Sequence, residues 1–374
     1  MNKYFPEIKK NFGFGCMRFP MIDDNTIDKE QLCKMVDLFI ESGFNYFDTA
    51  HAYHNGMSEL ALKECLTSRY PRDKYLLVNK LTNEFFNKEE DIIPFFEKQL
   101  EWCGVDYFDF YLMHAQTATY YKKFKACRAY EIAQELKAAG KIKHVGLSFH
   151  DSPEVLEEIL SEHPEVEVVQ IQFNYVDYNN ESIQAKKCYD ICRKYGKKIA
   201  VMEPVKGGQL VNMPADAMEV FKDLGDASAA SYALRFAAGF DDIYMVLSGM
   251  SNMDQMVDNL NTFKNFKPLD EKEMAAIDKI CKILAEKKAV GCTSCEYCIT
   301  QNQCPMDIPI PKLFANLNLK KVHNDGNSHW YYGTYTADKG KASDCIECGG
   351  CESACPQHLP IIDLLKEVAE IFEN

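Results

Sequence analysis

Four residues in the N-terminal part of the chain could handle a proton: Asp48, Tyr53, Lys80 and His114. Asp48 closes the apolar stretch Asn45-Tyr-Phe, and Tyr53 follows five residues on. Lys80 ends Tyr-Leu-Leu-Val-Asn-Lys, and His114 ends Asp-Phe-Tyr-Leu-Met-His. A lysine on an apolar strand is costly unless a carboxylate stands beside it, and Asp48 is the candidate. Each residue alone has a plain structural reading: Asp as a cap or turn residue, Tyr as packing, Lys and His as rim or satisfied core groups. Four of them delivered by three successive strands read as one site. A second chemistry lies near the C-terminus, where Cys292, Cys295, Cys298 and Cys304 are followed by Cys345, Cys348, Cys351 and Cys355. Structural zinc is the alternative for such a set, but zinc is signalled by Cys-x2-Cys pairs, and these are triplets with a fourth cysteine before proline.

The elements that must position these residues follow from the hydrophobic pattern. Apolar runs at Phe12–Met17, Asn45–Phe47, Tyr75–Lys80, Asp109–His114, His144–Ser148, Val168–Phe173, Lys198–Met202 and Tyr244–Leu247 predict eight strands buried on both faces. Amphipathic segments alternate with them: Lys29–Ser42, Glu59–Arg69, Glu89–Trp102, Phe124–Ala139, Pro153–Leu160, Glu181–Tyr195, Ala227–Ala238 and Asp254–Leu260. Eight strand–helix repeats predict an α/β fold, a (β/α)8 TIM barrel, whose chemistry sits at the C-terminal ends of the strands. A last helix, Asp270–Glu286, leads to a small cysteine-rich domain, dividing the chain into 1–288 and 289–374. A dinucleotide fingerprint is absent, because Gly13-Phe-Gly15-Cys-Met-Arg18 lacks the third glycine.

The net charge of −14 disfavours nonspecific binding to nucleic acid or to anionic membrane. No apolar run is long enough for a membrane span, and the first residues lack a signal peptide's basic and apolar regions, so a cytoplasmic location is expected. Of sixteen cysteines, eight are scattered (Cys16, Cys33, Cys65, Cys103, Cys127, Cys188, Cys192, Cys281) and are expected to behave as small buried apolar residues.

The spacing of Asp48, Tyr53, Lys80 and His114 resembles the catalytic tetrad of the aldo/keto reductases. The resemblance runs in order through Gly13-Phe-Gly15-Cys-Met-Arg-Phe-Pro, Gly146-Leu-Ser-Phe-His150, Gln170-Ile-Gln-Phe-Asn174, Glu203-Pro-Val-Lys-Gly-Gly208 and Ser248–Asn259. It implies hydride transfer between a nicotinamide cofactor, NAD(P), and a small carbonyl or alcohol, with Tyr53 as proton donor in reduction. Lys80, held by Asp48, is expected to lower the Tyr53 pKa, and His114 to orient the carbonyl. It further implies that Ser148 and Gln170 face the nicotinamide carboxamide and that Lys206, Gly207 and Gly208 approach the pyrophosphate. Met202 stands where an aromatic usually stacks on the nicotinamide. Asp258 and Asn259 match adenine-side positions beyond Ser248, and Gly249 and Gln255 stand where a basic pair commonly holds a 2′-phosphate. Weakened preference for NADP is therefore expected.

The cysteine runs resemble a bacterial two-cluster ferredoxin, in which the fourth cysteine of each run serves the other cluster. That likeness implies two [4Fe-4S] clusters, one on Cys292, Cys295, Cys298 and Cys355, the other on Cys345, Cys348, Cys351 and Cys304. Electron transfer to a redox partner protein, a redox switch and a structural anchor are the open roles. Nothing in the sequence requires a flavin, although Met202 leaves room for another ring. The rival reading is an electron-transfer protein whose barrel is a nucleotide- or flavin-binding module or scaffold.

Overall fold

The structure, a computed structural model, describes residues 2–301 and 304–373. By contacts the chain divides into two compact units, one of residues 1–180, 184–204 and 230–269, the other of 181–183, 205–229 and 270–374. The segment 205–229 and the helix Glu271–Lys287 thus group with the cysteine-rich segment rather than following a single cut near residue 288.

In the first unit the strands in chain order are β1 (Phe12–Gly15), β2 (Met21–Asp23), β3 (Thr26–Ile27), β4 (Tyr46–Asp48), β5 (Leu76–Leu81), β6 (Phe108–Gln116), β7 (Ile142–Phe149), β8 (Val168–Gln172), β9 (Lys198–Met202) and β10 (Ile243–Gly249). Eight of them close a barrel in the order β1-β10-β9-β8-β7-β6-β5-β4, every neighbour parallel. Each expected strand is present. The hairpin β2–β3 is an addition.

The barrel's interior is filled with side chains, as its narrow bore requires. Tyr46 and Tyr244 meet hydroxyl to hydroxyl at 3.0 Å, and Phe5 packs edge-on against Phe110 and Tyr244. Such packing leaves the C-terminal rim of the strands for polar work. The segment expected as one helix over Phe124–Ala139 is two, Ala118–Ala126 and Ala129–Ala138, broken where Arg128 takes a left-handed backbone (φ 53°). Among the eight scattered cysteines the expectation fails for three, one of them Cys281, which is only half-buried. Cys33 and Cys65 form a disulfide, whereas Cys16, Cys103, Cys127, Cys188 and Cys192 are free and buried.

In the second unit the two cysteine runs repeat one another in backbone as well as in sequence. Short helices Tyr297–Thr300 and Gly350–Ser353 each start from a left-handed residue, Glu296 and Gly349. Cys304-Pro and Cys355-Pro are then followed by left-handed Asp307 and His358, and by proline-capped helices Ile310–His323 and Ile361–Phe372. The paired helices bury Leu313, Phe314, Leu317, Ile361, Leu365 and Val368 as a small core. Among the described residues no helix is long and apolar enough to cross a membrane.

Candidate active site

Asp48, Lys80 and His114 come from β4, β5 and β6, neighbours in the barrel, and Tyr53 opens the short helical turn Tyr53–Gly56 after β4. The register aligns Asp48 with Val78 and Lys80 with Leu112, so the charged pair lies across adjacent strands. All four residues are buried. The Lys80 ammonium donates to Asp48 Oδ1 at 2.5 Å, to the Thr49 carbonyl at 2.9 Å and to the Tyr53 hydroxyl at 3.2 Å. Three donors meet three acceptors, which is how a buried ammonium is held without an unsatisfied proton. The second Asp48 oxygen accepts from Gln170 Nε2 at 3.1 Å. His114 packs edge-on to Tyr53, ring centres 5.9 Å apart, and its Nδ1 is 2.7 Å from the Thr82 hydroxyl.

The expectation of a lowered Tyr53 pKa is corrected in its net sign: Lys80 donates to the hydroxyl, but the shift as a whole is upward. Burial raises the phenol well above its usual value of 10, and the Asp48 carboxylate adds to that, with Cys16 and Glu203 contributing. Lys80 cannot act as an isolated cation because Asp48 shares it at 2.5 Å. Tyr53 is accordingly a protonated donor. His114 is driven well below its usual range, first by burial and then by Lys80 and His150, so its imidazole is neutral. Nδ1 and the Thr82 hydroxyl share one hydrogen; with Thr82 as its donor the ring proton sits on Nε2, the tautomer able to donate to a carbonyl oxygen.

The turn carrying Tyr53 is fixed from its flank. His54 and Asn55 both take left-handed backbones, and the His54 ring stacks on Phe19 at 5.3 Å while Nε2 accepts from the Phe19 amide at 3.2 Å. Burial, with Arg18 nearby, pushes His54 down to about 4. On the other side His51 Nδ1 meets the fully buried Glu59 at 2.6 Å, and Glu59 also accepts from Asn79 and Gln99. His51, His54, Glu59 and Thr82 were not singled out by sequence. Thr82 alone carried a signal, lying two residues beyond Lys80 in a strand-like alternation.

The expected cofactor residues fall at strand ends, in the loops beyond or on the helix Met253–Lys264. Ser148 and Gln170 are register partners, with Ser148 Oγ accepting from the Ala115 amide at 2.7 Å and Gln170 turned to Asp48. Met202 ends β9 beside Gln172. Asn259 donates to Ser248 at 3.1 Å, Gln255 accepts from the Ser251 amide, and Asp258 lies on the helix Met253–Lys264. A Cβ on Gly249 would come within 3.0 Å of the Arg18 side chain, whose guanidinium is 4.0 Å from Glu203. The aliphatic stem of Arg18 therefore packs on Gly249, while its charged end lies towards Glu203. Phe85 stacks on Phe95 and Phe86 packs on Phe124, so these aromatics serve the loops.

Within the second unit, Lys206 is buried with its ammonium turned to Gln357 at 3.5 Å. Gly207 and Gly208 both have positive φ. Cys292, Cys295, Cys298 and Cys355 line one pocket that is partly open to solvent. Burial raises the Cys298 thiol, and the neighbouring Cys295, Cys292 and Cys355 thiols raise it further. Cys351 is pushed up to about 11, chiefly by burial, with Cys345 among its neighbours. Among the described residues no three His, Cys, Asp or Glu side chains close on a single ion position.

A closed parallel barrel with an Asp–Lys–Tyr–His site at its C-terminal rim is the architecture of one enzyme class. Residues 11–282, more than half of the chain, match the Aldo/keto reductase family, and residues 291–359 match the 4Fe-4S dicluster domain. The chain belongs to the aldo/keto reductase family and is an oxidoreductase of that type. The uncharacterized oxidoreductase YqkF of Bacillus subtilis (strain 168) is 24% identical over 301 residues, covering 72% of this chain and 92% of YqkF. In fold the chain is similar to the aldo-keto reductase AKR11C1 from Bacillus halodurans in its holo form (22% identity, TM-score 0.59, 72% of this chain and 91% of that one). It is also similar to an aldo-keto reductase from Klebsiella pneumoniae in complex with NADPH (17% identity, TM-score 0.59, 72% and 90%).

Proposed function

We propose that the protein reduces a small carbonyl compound, or oxidises the corresponding alcohol, with a nicotinamide dinucleotide. The observation that carries this reading is the Lys80 ammonium shared between Asp48 and the Tyr53 hydroxyl, with neutral His114 alongside. A binding module has no need of a phenol poised in this way. When bound, the nicotinamide supplies or accepts the hydride. Tyr53 Oη gives its proton to the oxygen of the reduced carbonyl, and His114 Nε2 orients that oxygen and stabilises charge as it develops. The Lys80 hydrogen bond then stabilises the phenolate left behind, and Asp48 and Gln170 keep Lys80 in place.

NADPH in the Klebsiella pneumoniae structure supports a nicotinamide nucleotide here. Hydroxyl and amide groups at the strand ends, Ser148 and Gln170, suit its carboxamide. Ser248, Gly249, Gln255, Asp258 and Asn259 are assigned to the adenosine side and Met202 to the nicotinamide face; Lys206, whose ammonium faces Gln357, and Gly207, whose backbone meets Thr293, are not kept for the pyrophosphate. The absence of side-chain cations at Gly249 and Gln255 favours weak discrimination between NADH and NADPH.

The cysteine-rich segment is assigned two [4Fe-4S] clusters, on Cys292, Cys295, Cys298 and Cys355 and on Cys345, Cys348, Cys351 and Cys304. The four-thiol pocket and the repeated backbone support that assignment. Each cluster moves one electron, so electron transfer to a redox partner protein is the role such a pair is fitted to. Thiol-ligated clusters suit the reducing cytoplasm, where a disulfide such as Cys33–Cys65 is ordinarily transient.

The test is turnover by holoprotein purified without oxygen, offered a panel of aldehydes and ketones with NADH and with NADPH. Nucleotide oxidation that depends on a carbonyl is expected. Binding of nucleotide without turnover of any carbonyl defeats the proposal.

A further inference from the structure

The loop after β9, Lys206–Gln209, lies in the same compact unit as the cysteine-rich segment and is built against the first cysteine run. Gly207 has a left-handed backbone (φ 61°), and a Cβ there would stand 2.5 Å from the Thr293 carbonyl oxygen, so the two backbones approach more closely than any side chain permits. Gln209 Nε2 donates to the Cys292 carbonyl at 2.6 Å and to the Val290 carbonyl at 3.2 Å. Lys206, only 7% exposed, brings its ammonium 3.5 Å from Gln357 Oε1 and 3.7 Å from where a Cβ on Gly291 would be. Thr293, Gln357 and Leu359 belong to the wall of the pocket lined by Cys292, Cys295, Cys298 and Cys355. The buried Lys206 ammonium therefore lies behind that wall, beside Gln357 and Gly291. The charged residue on the wall itself, Glu296, is exposed and screened by water.

We infer that Lys206 is a positioning residue for the four-thiol pocket that raises the reduction potential of the cluster bound there. Reduction adds one electron to the cluster, with no bond made or broken, and makes it one unit more negative. A buried cation stabilises the reduced state more than the oxidised one, and net charge and burial are among the levers that set cluster potentials. The inference rests on the reading of two four-iron clusters given above.

The test is an EPR-monitored titration of the full holoprotein with a dithionite-class reductant, comparing wild type with Lys206→Gln, Lys206→Met and Lys206→Arg. The neutral variants are expected to shift one cluster of the two to more negative potential, by about tenfold in its reduction equilibrium, or about 59 mV for one electron. Lys206→Arg is expected to stay with wild type. Loss of four irons from both neutral variants, with full retention in Lys206→Arg, reads the same charge requirement as occupancy and supports the inference. Unchanged potentials in all variants overturn it, as does iron loss from Lys206→Arg too, which would mark a packing role. A wild-type protein without iron–sulfur signals would instead overturn the cluster reading.

Discussion

The Lys80 ammonium stands 3.2 Å from the Tyr53 hydroxyl and 2.5 Å from Asp48, so one buried charge serves both the proton donor and its own counter-ion. Lys80 is fully buried and Asp48 nearly so. Removing one partner of such a pair strands the other, at a cost of about 3–5 kcal/mol. Lys80→Met should therefore destabilise the fold by roughly that amount, while Lys80→Met combined with Asp48→Asn should recover a large part of it. Denaturant titrations of the three proteins check this. A double variant no more stable than Lys80→Met would show that the two charges do not depend on each other.

Burial and Asp48 hold the Tyr53 phenol well above 10. A proton donor is active while protonated, so kcat/KM for carbonyl reduction at saturating nucleotide should show no basic limb from Tyr53 below about pH 10. His114, held neutral from well below its usual range, adds no limb between pH 6 and 8. A pH–rate profile measures both. A fall centred near pH 8 that Tyr53 variants remove would contradict the phenol's placement.

His54 has its folded pKa depressed to about 4 against an ordinary 6.5. The stability this neutral ring confers is present above pH 6.5 and is lost as pH falls through about 4. His54→Gln keeps a hydrogen-bond acceptor without the titration. The wild type should lose up to roughly 3 kcal/mol more than this variant between pH 7 and pH 4. Chemical denaturation at the two pH values gives the comparison, and equal losses would mean that His54 does not titrate against folding.

Two clusters on eight cysteines require about eight irons per chain and a brown protein with broad absorbance. Cys298→Ala should remove about four irons and leave the second cluster's EPR signal. Iron analysis after anaerobic purification decides it. A colourless protein carrying zinc would overturn the assignment.

The barrel was legible because its strands are continuous apolar runs that differ from the helices between them in both length and period. The hairpin Met21–Ile27 was not, since six of its seven residues are exposed and show no alternation strong enough to read. The helix break at Arg128 escaped because a left-handed arginine has no sequence signature comparable to glycine. Asp48, Tyr53, Lys80 and His114 could be named because each ends or follows a strand. The sign of the Tyr53 shift could not, because it depends on how deeply the phenol is buried and on the Asp48 carboxylate beside it. Gly207 was read as an opening for phosphate, yet its backbone also meets Thr293, a residue far along the chain. Cys33 and Cys65, thirty-two residues apart, gave no cue to their pairing.

The most direct test of the account removes one oxygen atom. Tyr53→Phe leaves the ring in place and takes away the hydroxyl that Lys80 reaches. Stopped-flow oxidation of NADH or NADPH by an aldehyde should be slowed about 10²–10⁴-fold relative to wild type, while thermal stability and iron content stay near wild type. Carbonyl reduction at the wild-type rate by a correctly folded Tyr53→Phe protein would contradict the assignment of Tyr53 as proton donor.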